Sequence, residues 1–177
     1  MSITVAKNAG FCFGVSRAVE LVEKSAASGK LVCTLGPIIH NRHAVGRFEE
    51  MGVKVISAPE EAPEGSTVII RSHGVSRAVQ TRLESMGVDI VDATCPFVKR
   101  IHELVSRAET EGRLPVIIGT RTHPEVVAIA GWCSDCRIFE TPEELENWAK
   151  SGEVPPDHPI CMVCQTTSTE FLWKMCG

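Results

Sequence analysis

The residues around Cys12 recur around Cys95, 83 positions further along the chain, and this internal repeat constrains the possible folds more than any other feature of the sequence. Self-similarity at one fixed spacing indicates two copies of one structural unit. The identical pairs at this spacing are Val15 and Val98, Arg17 and Arg100, Glu20 and Glu103, Leu21 and Leu104, Val22 and Val105, Gly29 and Gly112, Leu31 and Leu114, Gly36 and Gly119, His40 and His123, and Pro59-Glu60-Glu61 and Pro142-Glu143-Glu144.

The spacing grows towards the end of the second copy. The segment "TVIIRSHGVS" has its counterpart in "PICMVCQTTS", so that His73 corresponds to Thr166 at a spacing of 93, and an insertion around "SGEVPPDHP" accounts for the extra length. At this spacing Cys176 corresponds to Leu83, and a third equivalent of Cys12 and Cys95 would fall near position 188. We therefore expect two lobes of a three-lobed architecture, with the chain stopping inside a helix.

Short β-branched segments alternate with helical patterns along the chain. Continuous apolar strands between helices favour an α/β fold with mostly parallel sheets that are covered on both faces. We predict two repeated lobes, residues 1–94 and 95–177. The predicted strands are 3–6, 31–35, 53–56, 67–71, 89–91, 115–119, 137–139 and 159–163, and the clearest helices run from Cys12 towards Gly29 and over 42–51, 75–86 and 96–111.

Composition excludes several classes of protein. The hydrophobic content of 44% is enough to form a core, and a net charge of -4 without a basic segment argues against a nucleic-acid surface. We find no secretory leader and no segment long enough to cross a membrane, and we expect a cytoplasmic protein. In that reducing compartment the eight cysteines indicate metal, redox or packing roles rather than disulfides.

Cys12 and Cys95 both stand where a helix begins. The positive end of a helix favours the thiolate, which is the form of cysteine that binds metal. Equivalent residues of pseudosymmetric lobes can meet at a common axis, and three such thiolates would hold an iron-sulfur cluster with one open iron. The alternative is that both cysteines are buried small hydrophobes.

Three histidines occupy comparable junctions between a strand and a helix. In "GPIIHN" and "GTRTHPE" a glycine is followed three residues later by His40 or His123, and "RSHGVS" places His73 at a third junction. Ligands of open α/β sheets bind at this edge, where helix amides and imidazoles can hold a phosphate or a diphosphate. The other histidines lack this context and are interpreted as surface or packing residues: His43, His102 and His158.

Two further groups are placed to handle protons. Glu125 follows His123 and Pro124 at a helix start, where it could complement the helix dipole or relay a proton. The "QTTS" segment places Thr166 and Thr167 at the junction that corresponds to His73, and their hydroxyls could cap a helix or bind a ligand oxygen.

The motifs "GFCFGV", "HNR", "SHGVS", "DATCP", "GTRTHPEV" and "QTTS", in this order, resemble the N-terminal two thirds of the 4-hydroxy-3-methylbut-2-enyl diphosphate reductase family. The resemblance covers essentially the whole chain. It implies a three-lobed α/β enzyme of the methylerythritol phosphate route, in which one cysteine from each lobe holds a central 4Fe-4S cluster. Such an enzyme removes the allylic hydroxyl of its diphosphate substrate and forms isopentenyl diphosphate and dimethylallyl diphosphate, with reduced ferredoxin or flavodoxin as the electron donor.

The resemblance also implies roles for individual residues. Cys12 and Cys95 would ligate the cluster. The substrate would be bound by His40, His73, His123, Thr166 and Thr167. Glu125 would supply protons towards the leaving hydroxyl, with Thr166 as the second catalytic residue. The third cysteine belongs to the lobe that this chain lacks, so activity of the chain alone is not expected to be complete.

Two alternative functions remain open at this point. One is a structural zinc protein, because "CSDC" (Cys133, Cys136) and "CMVC" (Cys161, Cys164) are two C-x-x-C pairs. A zinc knuckle needs a turn at the second pair, whereas the sequence predicts a strand, whose side chains alternate between faces. The other is a non-catalytic remnant that binds diphosphates.

Overall fold

The computed structural model describes residues 3–6 and 9–177. Helices and strands alternate along these ranges. The helices are α1 (Phe13–Ala26), α2 (Arg42–Glu50), α3 (Arg77–Glu84), α4 (Pro96–Thr110), α5 (Pro124–Ala130), α6 (Pro142–Lys150) and α7 (Glu170–Cys176), and a short 3-10 helix spans Pro59–Glu61. The strands are β1 (Val32–Leu35), β2 (Lys54–Ile56), β3 (Thr67–Ile70), β4 (Asp89–Asp92), β5 (Leu114–Ile118), β6 (Arg137–Phe139) and β7 (Ile160–Cys164).

The strands form two separate parallel sheets. The first has the order β2-β1-β3-β4 and the second the order β6-β5-β7, so that the second repeats the first three positions of the first. The register repeats as well, because Cys33 pairs with Lys54 and Val116 pairs with Arg137, both displaced by the spacing of the sequence repeat. The predicted α/β fold of repeated lobes is confirmed. The predicted boundary after residue 94 falls between the two sheets and stays a prediction.

Each sheet is buried on both faces, as its continuous apolar strands require. In the first sheet, Val32 and Ile69 pack against Ala18 and Val22 of α1, whereas the neighbouring strand residues pack on the opposite side around Leu83 of α3. In the second sheet, α4 and α5 cover one face and α6 and α7 cover the other. Each fully buried aliphatic side chain of this kind stabilises the fold by roughly 1.5–3 kcal/mol.

The repeats diverge after the Pro-Glu-Glu motif. In the first copy these residues form only the 3-10 helix, whereas in the second copy they open the longer helix α6, which the inserted residues follow. The sheet registers relate β3 to β7 by 94 positions, because Val32 pairs with Thr67 and Pro115 with Cys161. The helix caps Ser76 and Thr169 differ by 93, as predicted from the sequence. The loop after β7 is therefore one residue shorter than the loop after β3.

One predicted strand is wrong. Residues 3–6 adopt no regular secondary structure, and Ile3 and Val5 are exposed. A β-branched segment becomes a strand only where a neighbouring strand can pair with its backbone, and no sheet of the described residues includes this segment. The other predicted strands are present, and their ends are shifted by at most one residue. Within the described residues, none of the helices has both the length and the apolar character needed to cross a membrane.

The two lobes meet at a joint built around Trp132. Its indole Nε1 donates a hydrogen bond to the carbonyl of Val75 in the first lobe at 2.8 Å, and the backbone N–H of Arg77 donates to the carbonyl of Gly131 at 3.2 Å. His102 stacks on Trp132 with a centroid separation of 5.1 Å and is 4% exposed, so the prediction of a packing role for this histidine is correct. His43 and His158 are exposed.

The free energy of unfolding should decrease as the pH falls, in part because of His102. Burial lowers the pKa of His102 to about 4, with a smaller opposing effect from Asp92, whereas an unfolded histidine titrates near 6.5. Between these values the unfolded chain binds more protons, so the stabilisation is complete above about pH 6.5 and is lost as the pH falls towards 4. Replacing His102 with Phe keeps the stacking on Trp132, and we expect a smaller loss of unfolding free energy between pH 7 and pH 5 in urea titrations.

The control for this prediction is the exposed His158→Asn variant, which should retain the acid dependence of the parent chain. His73 also has a pKa of about 4 in the folded chain, so part of the dependence will remain in His102→Phe. An unchanged difference between the two pH values in His102→Phe would contradict the assignment.

Candidate functional site

Three imidazoles from both lobes meet at the carboxyl edges of the sheets. The ring centroids of His40 and His73 are 4.5 Å apart, and His123 lies 5.8 Å from His40 and 5.5 Å from His73. One ring nitrogen of each lies within 4.8 Å of the others. His40 directly precedes Asn41, the N-cap of α2, and His123 is itself the N-cap of α5. The histidines that the sequence singled out are thus brought together, and we call them the histidine cluster.

The hydrogen bonding of His123 decides which ligands it can take. Its Nδ1 accepts the backbone N–H of Glu125 at 3.2 Å, which caps α5. In the neutral ring the proton is then on Nε2, the nitrogen that remains available for a ligand. A metal ion needs a lone pair at this position, whereas an anion needs a hydrogen-bond donor. The arrangement of His123 therefore favours an anion over a metal ion.

His73 lies in positive electrostatic surroundings within the cluster. Burial lowers its pKa to about 4, and the charges of His40, Arg71 and His123 act in the same direction. Its Nδ1 is buried and has no hydrogen-bond partner among the described residues. A bound anion would supply such a partner and would stabilise the protonated ring, raising its pKa again.

Glu125 is held in a buried network beside the cluster. Its side chain is 1% exposed, and its two carboxylate oxygens accept the backbone N–H of Thr166 at 2.5 Å and the Thr166 hydroxyl at 2.8 Å. Gln165 organises the same loop, because its Oε1 accepts the N–H of Thr120 and its Nε2 donates to the Thr167 hydroxyl at 2.6 Å. The predicted pair Glu125 and Thr166 is in direct contact, while Thr167 is bound to Gln165.

Cys12 and Cys95 are the N-caps of α1 and α4. Neither side chain makes a capping hydrogen bond, in contrast to Asn41, Ser76 and Thr169, so neither sulfur is committed to a helix cap. A methyl group added to Gly14 would lie 2.6 Å from the sulfur of Cys95. The Cys95 sulfur therefore rests on the first turn of α1, the helix that begins at Cys12.

The four cysteines of the zinc alternative do not come together. Cys133, Cys136 and Cys161 pack into the core on the α4 side of the second sheet, whereas Cys164 packs on the α6 side. Cys161 and Cys164 both lie in β7 and are three positions apart, so their side chains point to opposite faces of the sheet. A hydrogen bond from the Cys133 thiol lowers the pKa of Cys136. Among the described residues, the histidine cluster is the only set of three or more candidate ligands with mutually close atoms.

Sequence analysis missed two residues of this region. Arg71 directly follows β3 and lies two residues before His73, and its Nε is buried without a partner among the described residues. Its position at a strand end beside a candidate histidine was the available signal. Gly14 stands inside the quoted "GFCFGV" motif, but the need for a missing side chain became visible only with the Cys95 sulfur in place.

Comparison with known proteins assigns the chain to a family. The sequence model described as LytB protein matches residues 3–175. The chain belongs to the LytB family. Among curated LytB relatives, the 4-hydroxy-3-methylbut-2-enyl diphosphate reductases of Clostridioides difficile (strain 630) and Aquifex aeolicus (strain VF5) are each 42% identical over 98% of this chain.

Solved structures show the same LytB fold. A structure of (E)-4-hydroxy-3-methyl-but-2-enyl diphosphate reductase, described as the terminal enzyme of the non-mevalonate pathway, superimposes with a TM-score of 0.81 at 41% identity over 98% of this chain. The Plasmodium falciparum E-1-hydroxy-2-methyl-but-2-enyl-4-diphosphate reductase gives 0.88 at 26% identity over 96% of this chain. The chain spans about 61% of the first of these structures and 53% of the second. It spans 61% and 60% of the two curated relatives.

Gly14→Ala should destabilise this LytB chain. The added methyl group would collide with the Cys95 sulfur, and overpacking of this kind costs about 1–3 kcal/mol. Gly46→Ala in α2 is the matched control, because no heavy atom lies within 4 Å of its added methyl group and alanine is the better helix former by up to about 1 kcal/mol. Urea unfolding should therefore shift in opposite directions, and a Gly14→Ala variant as stable as the parent would contradict the contact.

Proposed function

We propose that this chain forms two lobes of a reductase that converts (E)-4-hydroxy-3-methylbut-2-enyl diphosphate to isopentenyl diphosphate and dimethylallyl diphosphate. The observation that carries the proposal is the meeting of His40, His73 and His123 at one anion-favouring point, beside the buried pair of Glu125 and Thr166. The curated relatives that match this chain have the corresponding reductase name. A reduced ferredoxin or flavodoxin is the proposed electron donor.

The residues of this chain fit a 4Fe-4S cluster. Cys12 and Cys95 offer uncommitted sulfurs at two helix N-termini, where partial positive charge favours an anionic ligand set, and Gly14 leaves space for the Cys95 sulfur. Phe13 directly follows Cys12, and Phe97 follows Cys95 after Pro96; their exposed rings would supply apolar surroundings for the cluster. When bound, such a cluster supplies electrons. It also supplies a Lewis acid, namely the one iron that has no protein thiolate ligand. We propose that the third thiolate comes from the part of the relatives that this chain does not span.

The histidine cluster would bind the diphosphate of the substrate. His123 presents its Nε2–H as a fixed donor, because its Nδ1 is engaged by the α5 backbone. His73 is neutral at pH 7 without ligand, and a diphosphate beside it would favour its protonation. Thr166 and Thr167 stand at the same edge, where their hydroxyls would complete the binding of substrate oxygens.

Glu125 and Thr166 would deliver the proton that the leaving hydroxyl requires. The 2.8 Å separation between Glu125 Oε2 and Thr166 Oγ1 allows a proton to pass from the carboxyl group through the hydroxyl to a substrate oxygen. The backbone N–H of Thr166 fixes the other carboxylate oxygen, so the relay keeps one orientation. Burial of Glu125 keeps bulk water away from this path.

His123→Asn should weaken binding of inorganic pyrophosphate about tenfold or more, because it removes the Nε2–H donor while asparagine can still cap α5. Isothermal titration calorimetry of the 177-residue chain measures this effect. Affinity should increase as the pH is lowered from 8 to 6, since binding favours protonated His73. Glu125→Gln is the control, because it preserves the shape of the buried pair and should bind pyrophosphate as the parent does. Equal affinity of His123→Asn and the parent would remove the cluster from the proposal.

Cys12→Ser and Cys95→Ser should each reduce the iron and sulfide retained after anaerobic reconstitution, together with the visible absorption of the cluster. Cys133→Ser is the matched control, since its half-buried thiol lies in the core of the second lobe and should not affect iron. An added small thiol serves as the third ligand in the experiment. Retention of zinc without iron would contradict the cluster assignment, and so would an iron content that is unchanged in Cys12→Ser and Cys95→Ser. A chain that binds pyrophosphate but retains no iron would instead favour the non-catalytic remnant.

A further inference from the structure

A second cavity lies at the joint of the two lobes and contains none of the histidine cluster. Its volume is about 350 Å³, within the range of about 300–1,000 Å³ that small-molecule sites occupy. The first lobe contributes the ends of β1 and β3 and the start of α3, and the second lobe contributes one face of α5. Most of its wall is apolar, formed by Leu35, Pro37, Pro59, Val75, Val79 and Val127. We call it the Arg71 cavity.

Arg71 is the only charged side chain in the wall of this cavity, as far as the described residues show. Its guanidinium lies across Gly36, where an added methyl group would come 2.6 Å from a terminal nitrogen. Its Nε is buried without a hydrogen-bond partner, and no ion pair joins Arg71 to a carboxylate in the part of the chain that the structure describes. Burial alone lowers its pKa. An unpaired guanidinium in such surroundings is costly unless an anion compensates it.

The polar groups around Arg71 also suit an anion. Ser57 and Ser76 line the cavity, and the Ser76 hydroxyl caps α3, whose N-terminal end carries partial positive charge. The carboxylate of Glu61 accepts the Ser57 backbone N–H, but Glu61 does not line the cavity. One cation in an apolar wall suits a single oxyanion rather than a diphosphate, because arginine binds a carboxylate or a phosphate group through two parallel hydrogen bonds.

We propose that the Arg71 cavity binds a small organic anion, with one carboxylate or phosphate group on Arg71 and a short branched hydrocarbon body against the apolar wall. Because residues 127 and 128 of the second lobe close the cavity against the first lobe, such a ligand contacts both lobes and stabilises their joint. The wall of this cavity includes no residue of the histidine cluster and neither Cys12 nor Cys95, although the charge of Arg71 also acts on His73.

Four probes separate the parts of the ligand. Isovalerate and isopentyl phosphate have an anionic head and a branched body, inorganic phosphate has only a head, and isopentanol has only a body. Calorimetric titration of the 177-residue chain should show saturable binding of isovalerate or isopentyl phosphate, and the tighter of the two identifies the head group. Phosphate and isopentanol should bind at least tenfold more weakly. Absence of binding by both organic anions overturns the proposal.

Variants locate the binding. Arg71→Met should weaken the better organic anion at least tenfold, which corresponds to about 1.4 kcal/mol, and Val127→Trp should weaken it similarly by filling the cavity from the exposed face of α5. Lys24→Met removes an exposed cation from α1 and should change nothing. Undiminished binding in Arg71→Met overturns the proposal.

A stability measurement guards against misfolding of the variants. Arg71→Met should unfold at the same temperature as the parent or higher, because it removes an unpaired, desolvated charge and keeps the apolar stem. The organic anion should raise the melting temperature of the parent but not that of Arg71→Met. A large decrease in melting temperature for Arg71→Met would show that the guanidinium already has a partner and would overturn the proposal. Pyrophosphate binding by Val127→Trp should persist, which separates this site from the histidine cluster.

Discussion

The structure depends on the joint between the lobes, where the indole of Trp132 donates to the carbonyl of Val75 and Gly131 approaches Ser76 without a side chain. Each lobe has its own parallel sheet and its own core, so neither needs the other to bury its strands. The joint is what sets His123 of the second lobe beside His40 and His73 of the first. A small rotation at Trp132 would separate imidazoles whose centroids lie within 6 Å, since they have no direct hydrogen bond to one another in the described part of the chain.

At the edge of the sheets where the two lobes meet, several side chains can bind an anion, and two of them have a buried nitrogen without a hydrogen-bond partner among the described residues. His73 Nδ1 and Arg71 Nε are both buried without hydrogen bonds among the described residues, and His123 has one ring nitrogen committed to its helix. Burial of unsatisfied polar groups costs free energy in the absence of ligand. Stability is therefore given up at this edge, and a bound anion would recover it. The histidine cluster and the Arg71 cavity use the same electrostatic character in two separate places.

The buried pair of Glu125 and Thr166 shows the opposite arrangement. Every carboxylate oxygen of Glu125 has a hydrogen bond, and the surrounding loop is held by Gln165. In the proposed proton relay, a fixed distance between Glu125 and Thr166 matters more than open space around them. Thr166, which contacts Glu125, lies in the loop after β7, and this loop is one residue shorter than its equivalent after β3.

The sequence by itself determined the local structure and the equivalence of the lobes. Strand and helix positions follow from apolar periodicity, and the spacing from Cys12 to Cys95 predicted a repeated register that Cys33 and Val116 confirm. The strand predicted over residues 3–6 is absent, because a strand needs a neighbouring strand to pair with and the apolar pattern does not reveal whether one is present. The opposite directions of Cys161 and Cys164 follow from the strand that the sequence predicts. Only the tertiary structure decided that the three histidines meet and that Gly14 accommodates a sulfur. These outcomes depend on how the two lobes are oriented and packed, and residues that are distant in the chain carry no local signal of their separation in space.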